Sequence, residues 1–367
     1  MAKKSEAKPI NLALQGGGSH GAFTWGVLDR LLEDDRLEIE AVTGASAGAM
    51  NAVVLADGLA NGCKQEARQA LRAFWEGVGG AAQASPIQRS PVDAWRGVWN
   101  LDSSPAYLWF DLLSRVASPY DINPFQLNPL RDLVKRLVNF DRVRACSGLQ
   151  VFISATNVET GRAKVFHREE ITADHVMASA CLPDMYQAVE IEGCVYWDGG
   201  YMGNPPLWPL FDNAVSNDVV LVQINPFHRK GAPTKARDIF SRLNEITFNA
   251  SLLRELRSID FITGLLKAGR LEGTGYRPVF VHMIGDEEAL SALGASSKLN
   301  AELAFLHVLF ERGQAAADQW LATCFTGVGE RSTLDLEAVF AGEDDPLDGK
   351  RIHRDAAFRS AKPTPGK

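Results

Sequence analysis

No stretch of this 367-residue chain approaches the ~20 apolar residues that a membrane-spanning helix needs. Cysteine is scarce: five residues, widely scattered, with no CxxC pair. That excludes a disulfide framework and a thiolate zinc site, and reads as reduced thiols in a cytosolic chain. Excess positive charge is also missing. A formal net charge of −7 excludes binding to nucleic acid through bulk charge, although a local basic patch is still allowed. The basic, polar start, Met1 to Pro9, is followed by an apolar stretch, Ile10 to Leu14, too short for the core of a secretory signal. A cytoplasmic chain without a signal peptide is expected. There is no internal repeat.

What is present is ordinary for a globular protein: 46% hydrophobic and 23% charged residues. The length exceeds the roughly 250–300 residues of a usual single core, so one large α/β domain or a domain with an appendage is expected. Ile10 to Leu14 reads as a buried strand, and a glycine loop and a helical pattern follow it. A second strand, about 39–43, runs into Gly44-Ala45-Ser46-Ala47-Gly48 and then a helix to about Leu59. Strand, loop, helix, strand, turn, helix implies a parallel sheet with crossovers. We expect a three-layer α/β/α fold with a mostly parallel central sheet.

The texture changes over about 75–129, where four of eight tryptophans lie among many prolines. This insertion reads as irregular coil and short helices. It is either a covering layer with its aromatics packed inward, or a lid or lipid-contacting surface. Regular elements resume over 130–213: a helix, a hairpin to Phe166, and a second hairpin ending in Asp198-Gly199-Gly200. Residues 214–326 are expected to complete the same domain with two buried strands, a basic helical region over 235–271 and one helix over about 289–323. That basic region is either a covering helix or a lipid-surface helix. The charged remainder, 327–367, is expected to be mobile.

Three glycine-bearing motifs carry the chemistry. Gly16-Gly17-Gly18-Ser19-His20-Gly21 fits a dinucleotide fingerprint by letters. The acids of the next strand, Glu38 and Glu40, fall at its start, the wrong end to bind a ribose. His20 and Gly21 stand where a phosphate-binding loop needs Lys and Ser/Thr. The remaining use of bare backbone N–H groups before a helix is to hold an oxyanion. Gly44 to Gly48 is a G-x-S-x-G elbow that would lift Ser46 out at a strand-to-helix turn. Both loops open at the carboxyl edge of adjacent parallel strands. Of the histidines beyond Asp198 (His228, His282, His307 and His353), none has the setting of a triad base. His282 and His307 read as packed or surface residues. Asp198 is the better candidate partner for Ser46.

In this order the three motifs resemble the patatin-like phospholipase family, over about Ile10 to Leu210, and Ala178 to Pro183 is similar to a further block of that family. The resemblance implies a Ser46–Asp198 dyad without histidine, an oxyanion hole of Gly16, Gly17 and Gly18 N–H groups, and an acyl-Ser46 intermediate. It implies a lipid acyl hydrolase with no metal or cofactor, a lipid or ester substrate and possible peripheral membrane contact. A short-chain carboxylesterase, a lipid-binding scaffold and a histidine-using hydrolase are the rivals. His20 departs from the family pattern, which has Arg or Lys there.

Overall fold

The computed structural model describes residues 7–229 and 231–341. The eight strands β1 Lys8–Leu14, β2 Leu37–Gly44, β3 Gln150–Asn157, β4 Ala163–His167, β5 Val189–Ile191, β6 Cys194–Asp198, β7 Asp218–Val222 and β8 Phe280–Ile284 form one sheet. Its order is β5-β6-β3-β2-β1-β7-β8, with β4 also paired to β3. β1, β2, β3, β7 and β8 run parallel, and β4, β5 and β6 add antiparallel pairs. Leu12, Leu14, Val42, Ile153, Val220 and Val222 are fully buried. Such near-continuous apolar strands are what a sheet covered on both faces requires. The expected α/β/α layering and mostly parallel sheet are present.

The register places the motifs. Leu14 pairs with Gly44, so the glycine loop and the elbow leave the sheet side by side. Gly44 pairs with Ile153 on β3, and Ala155 of β3 pairs with Asp198. Ser46 and Asp198 therefore emerge one strand apart at one edge.

Three expected elements differ. The irregular insertion begins later than residue 75, because Lys64–Ala82 is a continuous helix. Its buried face, Ala67, Leu71, Phe74 and Trp75, holds it, and Trp75 Nε1 donates to Asn51 Oδ1 at 2.9 Å. The single helix expected over 289–323 is broken into Glu287–Ser291, a 3-10 turn Ala295–Leu299 and Leu303–Thr323. Side-chain ties to the insertion win there. Asn100 accepts from Gly294 N at 2.8 Å, and Asn300 Nδ2 donates to the Trp99 carbonyl at 2.9 Å. Packing also continues past Thr326. Thr333 and Leu334 donate to the Val281 carbonyl, and Gly329 N donates to Asp218 Oδ1. A second unit begins at Asp335 and contributes the short helix Leu336–Ala341. The rest of the expected mobile tail, with His353, lies outside the described residues.

Over 235–271 the chain forms the helix Ala236–Lys267. Its Leu252, Leu256 and Ile259 are buried, as a covering helix demands, while Arg254 and Arg257 are exposed. Among the described residues no helix is long and apolar enough to cross a membrane.

Candidate active site

Ser46 sits between β2 and the helix Ala47–Asn61 with φ 53° and ψ −120°. A non-glycine residue in this region is strained and must be held by its surroundings. The Ser46 N–H donates to Ser179 Oγ at 2.9 Å. Gly16 of the first loop is forced by close approach to the elbow. A Cβ on Gly16 would lie 2.6 Å from the Ala45 carbonyl and 2.7 Å from Ser46 Cβ, so only glycine lets the first loop lie against the elbow.

Asp198 is fully buried at the end of β6. Its backbone N–H donates to the Cys181 carbonyl at 2.8 Å, and its carbonyl accepts from Thr156 Oγ1 at 2.8 Å. Carboxylate Oδ1 accepts from Gly200 N at 2.7 Å, whereas Oδ2 is buried without a hydrogen-bond partner. Ser46 stands close enough to hold the carboxyl pKa down, short of a formed hydrogen bond. Burial outweighs that effect and the Gly200 amide, and raises the pKa to about 7. Ala178 to Pro183 thus has a physical role: Ser179 fixes one partner and Cys181 the other.

The glycine loop has one N–H with an internal acceptor. Gly16 N–H donates to Asn204 Oδ1 at 2.6 Å, so it is already spent. Among the described residues no acceptor takes the N–H of Gly17 or Gly18. Gln15 Oε1 accepts from Ile224 N and Asn225 N at 2.9 Å each, and Asn225 Nδ2 donates to the Gly16 carbonyl at 2.7 Å. Ser179, Asn204, Gln15 and Asn225 went unread in the sequence. Asn204 had a signal, since Gly203-Asn204-Pro205 stands two residues beyond the aspartate motif.

His20 is buried, with Nε2 2.8 Å from Ser297 Oγ. Burial and the positive charges of Lys298 and Arg229 push its pKa down to about 3, so it is a neutral ring at ordinary pH. None of the described histidines is hydrogen-bonded to Ser46 or Asp198. His282 instead bridges Asp218 Oδ1 at 2.9 Å and Thr333 Oγ1 at 2.8 Å, inside the core.

Two cavities meet at Ser46. One, of about 730 Å³, is mostly apolar and is lined by Phe74, Trp75, Val78, Leu133, Leu182 and Leu303, among others. The other, of about 440 Å³, is the more polar of the two, includes Asp198, Asp184, Arg229 and Arg242, and shares Gly18, Met185 and Lys298 with the first. At its mouth stands the helix Pro105–Leu113, and Arg115 packs over Phe240, 5.2 Å from the ring centre. The insertion leaves Trp95, Trp109 and Phe125 exposed, at 86%, 66% and 84%. Leu112, Val116, Phe240 and Leu243 are exposed too, so this layer does not turn all its aromatics inward.

A family model for patatin-like phospholipases matches residues 12–211, more than half of the chain. The chain belongs to the patatin-like phospholipase family. At family level that makes it a lipid hydrolase with a lipid substrate. No curated protein matches it in sequence. Among solved structures, VipD from Legionella pneumophila is 14% identical with a TM-score of 0.36, covering 86% of this chain and 67% of VipD. ExoU from the type III secretion system of Pseudomonas aeruginosa, in complex with SpcU, is 13% identical with a TM-score of 0.31, covering 85% of this chain and 53% of ExoU. This patatin-like chain thus spans between half and two thirds of those proteins. Likenesses so low carry no argument.

Proposed function

We propose that this patatin-like chain hydrolyses carboxylic esters of lipids, with Ser46 as nucleophile and Asp198 as its only general base. The observation that carries the reading is the unpartnered Oδ2 of a buried Asp198 beside a strained Ser46. A carboxylate in water is too weak a base, whereas one with a pKa of about 7 is matched to neutral pH. Asp198 takes the Ser46 proton as Oγ attacks the ester carbonyl. The oxyanion is held by the N–H groups of Gly17 and Gly18. Collapse expels the alcohol, which receives the proton from Asp198. Water, activated by the same carboxylate, then releases the fatty acid from Ser46.

The apolar cavity fits the acyl chain, and its volume lies within the usual range for a ligand pocket. The more polar cavity takes the alcohol side. The exposed aromatic layer at the mouth supports peripheral contact with a lipid surface.

The test is a chromogenic ester series of rising chain length with wild type, Ser46→Ala and Asp198→Asn, together with fluorophosphonate labelling. Expected are a preference for long chains, labelling at Ser46 alone, and losses of about a thousandfold or more in both variants. Retained turnover in Ser46→Ala, or labelling elsewhere, removes the nucleophile. A preference for short chains favours the soluble-ester reading.

A further inference from the structure

Beyond residue 211, where the family match ends, Arg229, Arg242 and Lys298 line the cavity that holds Ser46 and Asp198, and of these three only Lys298, on the 3-10 turn Ala295–Leu299, also lines the apolar cavity. We propose that Lys298 is the electrostatic anchor of the oxyanion loop. It is a positioning residue whose positive charge favours the anionic intermediate over the resting site. The proposal rests on the reading of Ser46 and Asp198 above.

Three independent contacts bring Lys298 to the loop. The Lys298 backbone carbonyl lies directly against Gly18, which has φ 59°, so any side chain at Gly18 would collide with it. Lys298 Nζ donates to Asn225 Oδ1 at 2.7 Å, and the same Asn225 amide donates to the Gly16 carbonyl. Ser297, the residue before it, binds the buried His20 ring. Lys298 also lines both cavities together with Ser46 and Gly18.

The cavity around Lys298 carries both signs: Arg115, Arg229 and Arg242 line it together with Asp102, Asp111, Asp184, Asp198 and Asp238. Glu245, on the helix Ala236–Lys267, accepts from both Arg229 and Arg242, so one carboxylate serves two guanidiniums. Lys298 has no carboxylate of its own within ion-pair distance among the described residues. His20 is neutral, and Glu302 is taken by Arg89. The Asp198 charge acts on Lys298, but more weakly than burial, Glu245 or Arg229. When Asp198 accepts the Ser46 proton, negative charge moves from the carboxylate toward the loop. A cation tied to the loop through Asn225 and Gly18 favours that transfer. Burial and Arg229 hold the Lys298 pKa below its ordinary value, whereas Cys181 is pushed up to about 12, and Tyr201 and Tyr186 are also raised. The Lys298 charge is therefore lost at a lower pH than that of an exposed lysine.

The experiment compares wild type, Lys298→Gln, Lys298→Arg and Ser46→Ala on a soluble chromogenic ester from acid to strongly alkaline pH, with non-enzymatic hydrolysis subtracted. Glutamine keeps a donor for Asn225 and removes only the charge. Expected is a fall in kcat of about ten- to hundredfold in Lys298→Gln with KM within about twofold, as for an interaction made in the transition state. Lys298→Arg should recover most of kcat and lose the alkaline decline seen in wild type. Should Lys298→Gln not fold, the alkaline limb of Lys298→Arg decides alone. An unchanged kcat in Lys298→Gln, equal damage in both Lys298 variants, or an alkaline limb unmoved by arginine overturns the proposal. Inactive Ser46→Ala beside an unaffected Lys298→Gln sinks this proposal only. Active Ser46→Ala sinks the Ser46 reading and this proposal with it.

Discussion

At the scale of single residues, Asp198 sets function against stability. Its folded pKa of about 7 lies above the ordinary 3.8, so the native state prefers the carboxyl protonated. That preference stabilises the fold fully below about pH 4 and is lost as pH rises through about 7, at a cost of up to about 4 kcal/mol. The reaction needs the opposite form, so kcat/KM should rise through the same window. Asp198→Asn should therefore be inactive yet more stable than wild type at pH 8, by about 1–3 kcal/mol, with the gain vanishing at pH 4. Urea unfolding at the two pH values checks this, and equal stability at pH 8 would contradict it. Asn204 is the second case. Asn204→Ala leaves the buried Gly16 N–H without its acceptor, which should cost about 1–3 kcal/mol in stability. It should also slow turnover while fluorophosphonate labelling at Ser46 persists, because the nucleophile itself is untouched.

At the scale of elements, legibility followed how local the cause was. The strand-loop-helix starts, the two hairpins and the three motifs are written in short-range pattern, and each appears where that pattern put it. The short helices of the insertion were expected from the sequence, but where each begins was not read. The insertion's prolines look like breakers, yet Ser90-Pro91, Ser104-Pro105, Ser118-Pro119 and Asn128-Pro129 each open a short helix, with a capping side chain before a proline in the first turn. The broken helix over 289–323 was illegible because Asn100 and Trp99, some 200 positions away, decide it. The same holds for Gln15, Asn204 and Asn225, whose partners are remote in sequence. The exposed aromatics on and between these short helices give the element-scale prediction. Replacing Trp95, Trp109 and Phe125 together by serine should weaken binding to phospholipid vesicles about tenfold or more, since each large apolar side chain is worth roughly 1.5–3 kcal/mol when buried. Hydrolysis of a soluble ester should stay near wild type. Vesicle sedimentation beside the soluble assay separates the two, and equal losses in both would mean that the layer merely supports the fold.

At the scale of the molecule, the family match ends at residue 211, but the sheet does not. β1 lies near its centre, and Asn11 to Leu14 pair with Val219 to Val222. Cutting the chain after residue 213 would leave the β1 edge open and the fully buried Leu12 and Leu14 without their neighbours Val220 and Val222. It would also remove Ile224 and Asn225, which hold Gln15 and the Gly16 carbonyl, so the oxyanion loop would lose its support. An unpaired central edge exposes both backbone groups and apolar surface to aggregation. The fragment 1–213 should therefore aggregate or lack cooperative unfolding, and should not label with a fluorophosphonate. A fragment 1–334 should keep both properties, because the contact of Gly329 with Asp218 on β7 and those of Thr333 and Leu334 with Val281 on β8 are retained. A soluble 1–213 fragment that unfolds cooperatively and labels at Ser46 would make residues 214–334 an accessory to the catalytic core. That result would also leave no catalytic part for Lys298, which the fragment lacks.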